Sequence, residues 1–198
     1  MTLRFALALA LAFAGCGRPA SPPPDRTAGP DRSPDRGGAG PQQSVDRLLD
    51  LMRQRLLVQH EVARSKWHAR LPITDPKREQ ELLDRAEPQA RDLGLEPGFV
   101  REFFRAQMRA GKLVQQADFD AWQRGDSTPP ADGPDLKALR LRIDGLNRKL
   151  LQALKEAGPG LKEASGRRAA RARAEAVLQG QGITAEVQQA ASAPLLGP

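Results

Sequence analysis

Apolar side chains recur at helical spacing from about residue 44 onward, and that pattern organises the rest of the chain. Ser44 is placed to N-cap a long first helix running to about Arg70. Its stripe reads Leu48, Met52, Arg55, Gln59, Val62 and Lys66. Leu71-Pro72 predicts its end, because a proline disfavours helical geometry in the residue before it. Asp75-Pro76 predicts a second helix, with a capping carboxylate followed by proline at the first helical position, and Gly94 stops it after about Leu93. Pro97 opens a third helix to about Arg124, striped by Val100, Phe104, Met108, Gly111, Gln115, Phe119 and Trp122. Residues 125–134 read as a loop. Asp135 opens a fourth helix with Leu136, Arg140, Ile143, Leu146, Leu150 and Leu154 in line, and Gly158-Pro159-Gly160 predicts its end. Weaker patterns over 161–179 and 184–192, separated by Gly180 and Gly182, complete the chain. No run alternates at period two, so the fold class is all-α, a bundle of about six helices. Trp67, Phe103, Phe104 and Trp122 are expected in its core.

The first 43 residues do not share this pattern. Phe5 to Ala14 is an apolar run of ten residues behind a single Arg4, too short to span a bilayer and of signal-peptide length. Two readings of residues 1–16 stand. Small residues before the sole cysteine, in Ala14-Gly15-Cys16, resemble a bacterial lipobox, which would lipidate Cys16 and attach the chain to a membrane; Phe13 departs from the usual leucine. Alternatively, Ala12-Phe13-Ala14 fits ordinary signal cleavage. Either reading exports the chain to the periplasm. Residues 17–43 hold 7 Pro and 5 Gly and no aromatic residue, the composition of a disordered tether. The division is therefore leader 1–16, tether 17–43, helical domain 44–157, and C-terminal helices 158–198 packed on the bundle.

Composition narrows the chemistry. One Cys and two His exclude a disulfide and any cysteine-rich metal cluster. His60 and His68 are eight apart, about 80° around a helix, so they form no metal-binding pair and read as surface or helix-edge residues. The net charge of +7 suggests nucleic acid, but it divides as +2, +3 and +2 over 1–43, 44–157 and 158–198. Its densest run, Arg167 to Arg173, lacks aromatic interleaving, which argues against a nucleic-acid partner. No phosphate-binding loop, dinucleotide motif or nucleophile elbow is present.

What does stand out is which residues interrupt the apolar stripes. Arg55 and Lys66, 11 residues apart, fall within about 20° of each other and about 16 Å apart along one helix. Arg140 lies beside Leu136 and Ile143, and Gln115 beside Phe119 and Trp122. A buried unpaired charge costs several kcal/mol, so inward cations require anions. The apolar faces carry no matching set of carboxylates, which predicts an anionic ligand. The competing reading is that each cation snorkels to solvent on its own.

These residues also carry a resemblance. RLLVQHEVARSKWHARLPITDPKRE (Arg55 to Glu79), FFRAQMRAGKLVQ (Phe103 to Gln115) and PDLKALRLRIDGLNRKLL (Pro134 to Leu151) resemble the all-helical AroQ-class chorismate mutases, and among them the exported gamma subgroup. The resemblance implies a type II chorismate mutase fold, a homodimer, no cofactor, and conversion of chorismate to prephenate on the route to aromatic amino acids. Position by position it implies that Arg55 and Arg140 bind the two substrate carboxylates and that Lys66 and Gln115 donate to the ether oxygen. Asp75 and Arg78 match the family's D-x-x-R element, and Glu79 stands where some members accept from the ring hydroxyl. Gly111 departs from the family, replacing a Ser or Thr that contacts a carboxylate; candidate substitutes are a backbone N–H, a water or Lys112, and close helix packing is the alternative reading of the glycine. Gln115 stands where other members have Glu and donates at any pH, so no acid-only activity profile is expected. The alternative is an exported helical protein that binds anions, or acts like a chaperone, without catalysis.

Overall fold

The computed structural model describes residues 40–129 and 131–196, so the export and lipidation readings at residues 1–16, Cys16 included, lie outside the described residues. Six helices follow in order: α1 (Pro41–His68), α2 (Pro76–Asp92), α3 (Pro97–Arg124), α4 (Leu136–Lys162), α5 (Ala164–Val177) and α6 (Ala185–Leu196). No strand occurs among the described residues. The central element is α1, which packs on α3, α4 and α5; α2 crosses α3 and α4, and α6 covers α3. Leu48, Met52, Leu56, Val100, Phe103, Phe104, Leu150 and Leu154 form the sealed core. Their spacing is the helical repeat of the sequence, so α1, α3 and α4 each bury the central part of the expected stripe.

The caps that position the site are those the sequence marks. The Asp75 carboxylate accepts the Arg78 backbone N–H at 3.1 Å, with Pro76 in the first turn. The Asp135 carboxylate accepts the N–H groups of Lys137 and Ala138. Glu96, which the sequence did not mark, caps α3 through Gly98 and Phe99. Gly133 in the 125–134 loop presses on α1. A Cβ there would sit 2.8 Å from Ser65 Cα, so only glycine permits this approach.

Several expectations are corrected. Helix α1 starts at Pro41, not beyond Ser44: Gly40 is the cap residue, Ser44 is buried within the helix, and residues 41–43, expected in the tether, are helical. Proline at the first position has no N–H to leave unpaired, so the helix extends to it. Helix α4 does not stop at Gly158-Pro159-Gly160 but runs to Lys162. Pro159 faces solvent, so water can serve the carbonyl that loses its partner, while Ala157 is buried and Gly160 lies against Pro41. Packing on α1 outweighs the proline's preference. Trp67 and Trp122 are half-buried and cluster with Phe119 at centroid distances of 5.1 to 5.9 Å, Trp67 meeting the other two rings edge-on. They lie in the last turns of α1 and α3, where water reaches them; Phe103 and Phe104 are the true core aromatics.

His60 is more than an edge residue. Its Nδ1 lies 2.7 Å from Asp118 Oδ2 on α3, and its Nε2 lies 2.8 Å from the Gln181 carbonyl between α5 and α6. Both ring nitrogens face acceptors, which only the doubly protonated ring satisfies. The Asp118 hydrogen bond raises the imidazole pKa against the opposing effect of burial. His68 is exposed, as expected.

Candidate active site

Four helices converge on one cleft, which encloses about 680 Å³ including its open mouth. From α1 come Arg55, Gln59, Val62 and Lys66, spaced to project from one face. From α3 come Met108, Gly111, Lys112 and Gln115, and from α4 Leu136, Arg140, Ile143 and Asp144. The first turns of α2 add Arg78, Glu79 and Leu82, and the connection before it adds Ile73 and Asp75. All eight residues singled out for substrate or catalysis, Arg55, Lys66, Asp75, Arg78, Glu79, Gly111, Gln115 and Arg140, thus share one cleft within one chain.

Arg55 is the deepest cation, 3% exposed. Its Nε donates to Asn147 Oδ1 at 3.0 Å and its Nη1 to the Gln107 carbonyl at 2.8 Å. Both partners are neutral. Burial pushes its pKa down to about 10, with the Asp144 charge opposing, so it remains a cation at neutral pH. Lys66 donates from Nζ to the Ile73 carbonyl at 2.5 Å. Burial pulls its pKa below the ordinary lysine value; Asp75 and Glu79 oppose that shift, and Arg140 and Lys112 add to it.

The other cations differ from the expectation of unpaired charge. Arg78 Nη2 reaches both oxygens of Asp144, at 2.6 and 2.7 Å. Arg140, half exposed and not buried, pairs with Asp75 at 2.8 Å. Lys112 pairs with Glu79 at 3.1 Å. The carboxylates come from the start of α2 and the polar flank of α4, which a survey of apolar stripes does not reach. Even so, five cations meet three carboxylates, an excess of two positive charges in the cleft.

Two polar cleft residues were not assigned a role from sequence. Asp144 is four residues beyond Arg140 on α4, the spacing that would have signalled a shared face. Gln59 is four beyond Arg55 and was read only as part of the stripe. Its Nε2 donates to the Arg55 carbonyl at 3.0 Å, and its Oε1 accepts from Gln115 Nε2 at 2.8 Å. Gly111 lies against it: a Cβ on Gly111 would sit 3.1 Å from Gln59 Cδ. No group of acidic, His or Cys side chains suited to a metal occurs among the described residues.

Residues 45–116 match the family described as chorismate mutase type II. Over that stretch the helical body is similar to the chorismate mutase type II family. The secreted chorismate mutase of Mycobacterium tuberculosis is 35% identical over 107 residues, which cover 54% of each chain. That of Mycolicibacterium smegmatis is 33% identical over 114 residues, covering 58% of this chain and 63% of the relative. This chain thus spans roughly half to three fifths of the length of these curated relatives. Among solved structures, a chorismate mutase from Burkholderia thailandensis superposes with a TM-score of 0.70 at 28% identity, covering 77% of this chain and 98% of that one. A secreted chorismate mutase from Yersinia pestis shares the fold, with a TM-score of 0.65 at 24% identity over 75% of this chain and 94% of its own. The cleft of this chain carries an amide pair, Gln59 and Gln115, over a glycine at 111.

Proposed function

We propose that this protein is an exported chorismate mutase that isomerises chorismate to prephenate by an intramolecular Claisen rearrangement. The observation that carries the reading is the charge balance of the cleft: an excess of two cations, among apolar walls, for a substrate with two carboxylates. The reaction requires no nucleophile and no transferred proton. It requires the enolpyruvyl arm to be held over the ring, an orientation task suited to fixed cations. It also requires donors at the ether oxygen, where negative charge grows as the C–O bond breaks. In this proposal Arg55 and Arg140 hold the carboxylates, and Lys66 and Gln115 donate to the ether oxygen. Arg78 adds positive charge beside them, and Glu79 accepts from the ring hydroxyl. Arg55 supports the assignment because its resident partners are neutral, leaving its charge available.

The cleft is lined by one chain's own four helices. Activity per protomer should therefore be constant across the dilution that separates the implied homodimer. Export, with Cys16 either lipidated or left unmodified by ordinary cleavage after Ala14, is part of the same proposal and is checked by the mass of the mature N-terminus. The assay that tests the activity is loss of chorismate on incubation with the purified protein; a rate no greater than the uncatalysed one rejects it. One observation favours a non-catalytic anion binder: Gly111 offers no side-chain donor. Stabilisation by dicarboxylates without turnover would mark that outcome.

A further inference from the structure

Position 111 and position 59 face each other across the cleft floor, and their sizes are complementary. Gln59 fills the space that a side chain at 111 would need, lying 3.1 to 3.3 Å from where its Cβ would be. Gln59 is also fixed by a chain of hydrogen bonds. Its N–H end is committed to the Arg55 carbonyl at 3.0 Å, so its oxygen must face Gln115. That oxygen accepts from Gln115 Nε2 at 2.8 Å. Reversing the Gln115 amide would bring two carbonyl oxygens together at this distance. This orientation leaves Gln115 Oε1 buried with no protein partner, a cost of about 1–3 kcal/mol. Gln115 itself is 5% exposed.

We propose that Gln59 is a positioning residue of this site, relaying the Arg55 backbone to Gln115 and holding its amide so that the second Nε2 hydrogen is the donor offered to the ligand, and that Gly111 is glycine to admit Gln59. The proposal rests on the chorismate mutase reading for what that donor meets. The relay itself stands on the geometry alone.

The test uses the full chain with Gln59→Met, Gly111→Ala, and Gln59→Ala alone and combined with Gly111→Ser. Methionine keeps the length of Gln59 and removes its acceptor. Gln59→Met is expected to lower kcat by about tenfold or more while changing KM by less than about threefold, since the lost interaction orients a transition-state donor. Gly111→Ala is expected to lower kcat by displacing Gln59. The double variant is expected to recover activity relative to Gln59→Ala, because the serine restores volume and a polar group at the same place. Independently of turnover, the side-chain amide of Gln115 is expected to show one slowly exchanging hydrogen by NMR in the parent protein and none in Gln59→Met. An unchanged kcat in Gln59→Met, or an unchanged Gln115 amide, overturns the proposal. A parent protein inert toward chorismate overturns the activity reading instead, and the Gln115 amide signals then decide the relay by themselves.

Discussion

Asp75 Oδ2 lies 2.8 Å from Arg140 Nη2, joining the N-terminus of α2 to the second turn of α4, while Asp75 Oδ1 caps α2 through the Arg78 N–H. One side chain thus both starts a helix and occupies a cation proposed to bind substrate. Asp75→Asn keeps a capping oxygen but removes the charge. It should change stability by less than about 1 kcal/mol, the usual range for a partly exposed ion pair. Asp75→Ala removes the cap as well and should cost about 1 kcal/mol more. Denaturant unfolding of the two variants checks the difference.

Lys66 provides a pH signature. Burial lowers its pKa and the Asp75 charge partly restores it. A lysine donates to an ether oxygen most strongly when charged, so kcat/KM is expected to fall as pH rises through a pKa below the ordinary lysine value. Asp75→Asn removes an upward contribution and should move that alkaline limb to lower pH. Lys66→Met should lower kcat by about 10²–10³-fold, the usual loss for one donor at a developing oxyanion. Rate profiles from neutral to alkaline pH check both.

The His60 clasp should make stability depend on pH in the opposite sense from a carboxylate. Its folded pKa is raised above the unfolded value by Asp118. Its contribution is therefore complete below the unfolded value near 6.5 and is lost as pH rises through the higher folded value. His60→Asn should flatten the fall in stability over that window, as read by denaturant melts at a series of pH values.

Gly133 should tolerate no side chain. Gly133→Ala puts a methyl group 2.8 Å from the Ser65 Cα, where backbone and not a flexible side chain must yield. A loss of about 1–3 kcal/mol is expected, as for overpacking in a core. Thermal unfolding checks it. Gly145→Ala is the control, since its Cβ would meet only the far end of Arg148 at 4.0 Å.

Much of this was legible in the chain. The helix starts at Asp75-Pro76, Pro97 and Asp135 follow from local chemistry that no packing overrides. Arg55 and Lys66 share a cleft because 11 residues return a helix to nearly the same face. Less legible was the end of α4, because Pro159 reads as a stop until its exposure to solvent is known. The aromatic pair Trp67 and Trp122 was read as core because periodicity assigns a face and says nothing about how far along the helix its neighbours cover that face.

The sequence by itself determined the six helices, their buried stripes and the set of cations that interrupt them, since these depend on spacing along one helix at a time. Only the tertiary structure decided which charges have partners. Asp75 meets Arg140, Asp144 meets Arg78 and Glu79 meets Lys112 across helices far apart in the chain, whereas Arg55 is left with neutral acceptors. It also decided that Gln59 fills the space above Gly111 and turns the Gln115 amide. A residue's own period fixes the direction in which it points, but its partner is fixed by how the helices cross, and that crossing is set by the whole core at once.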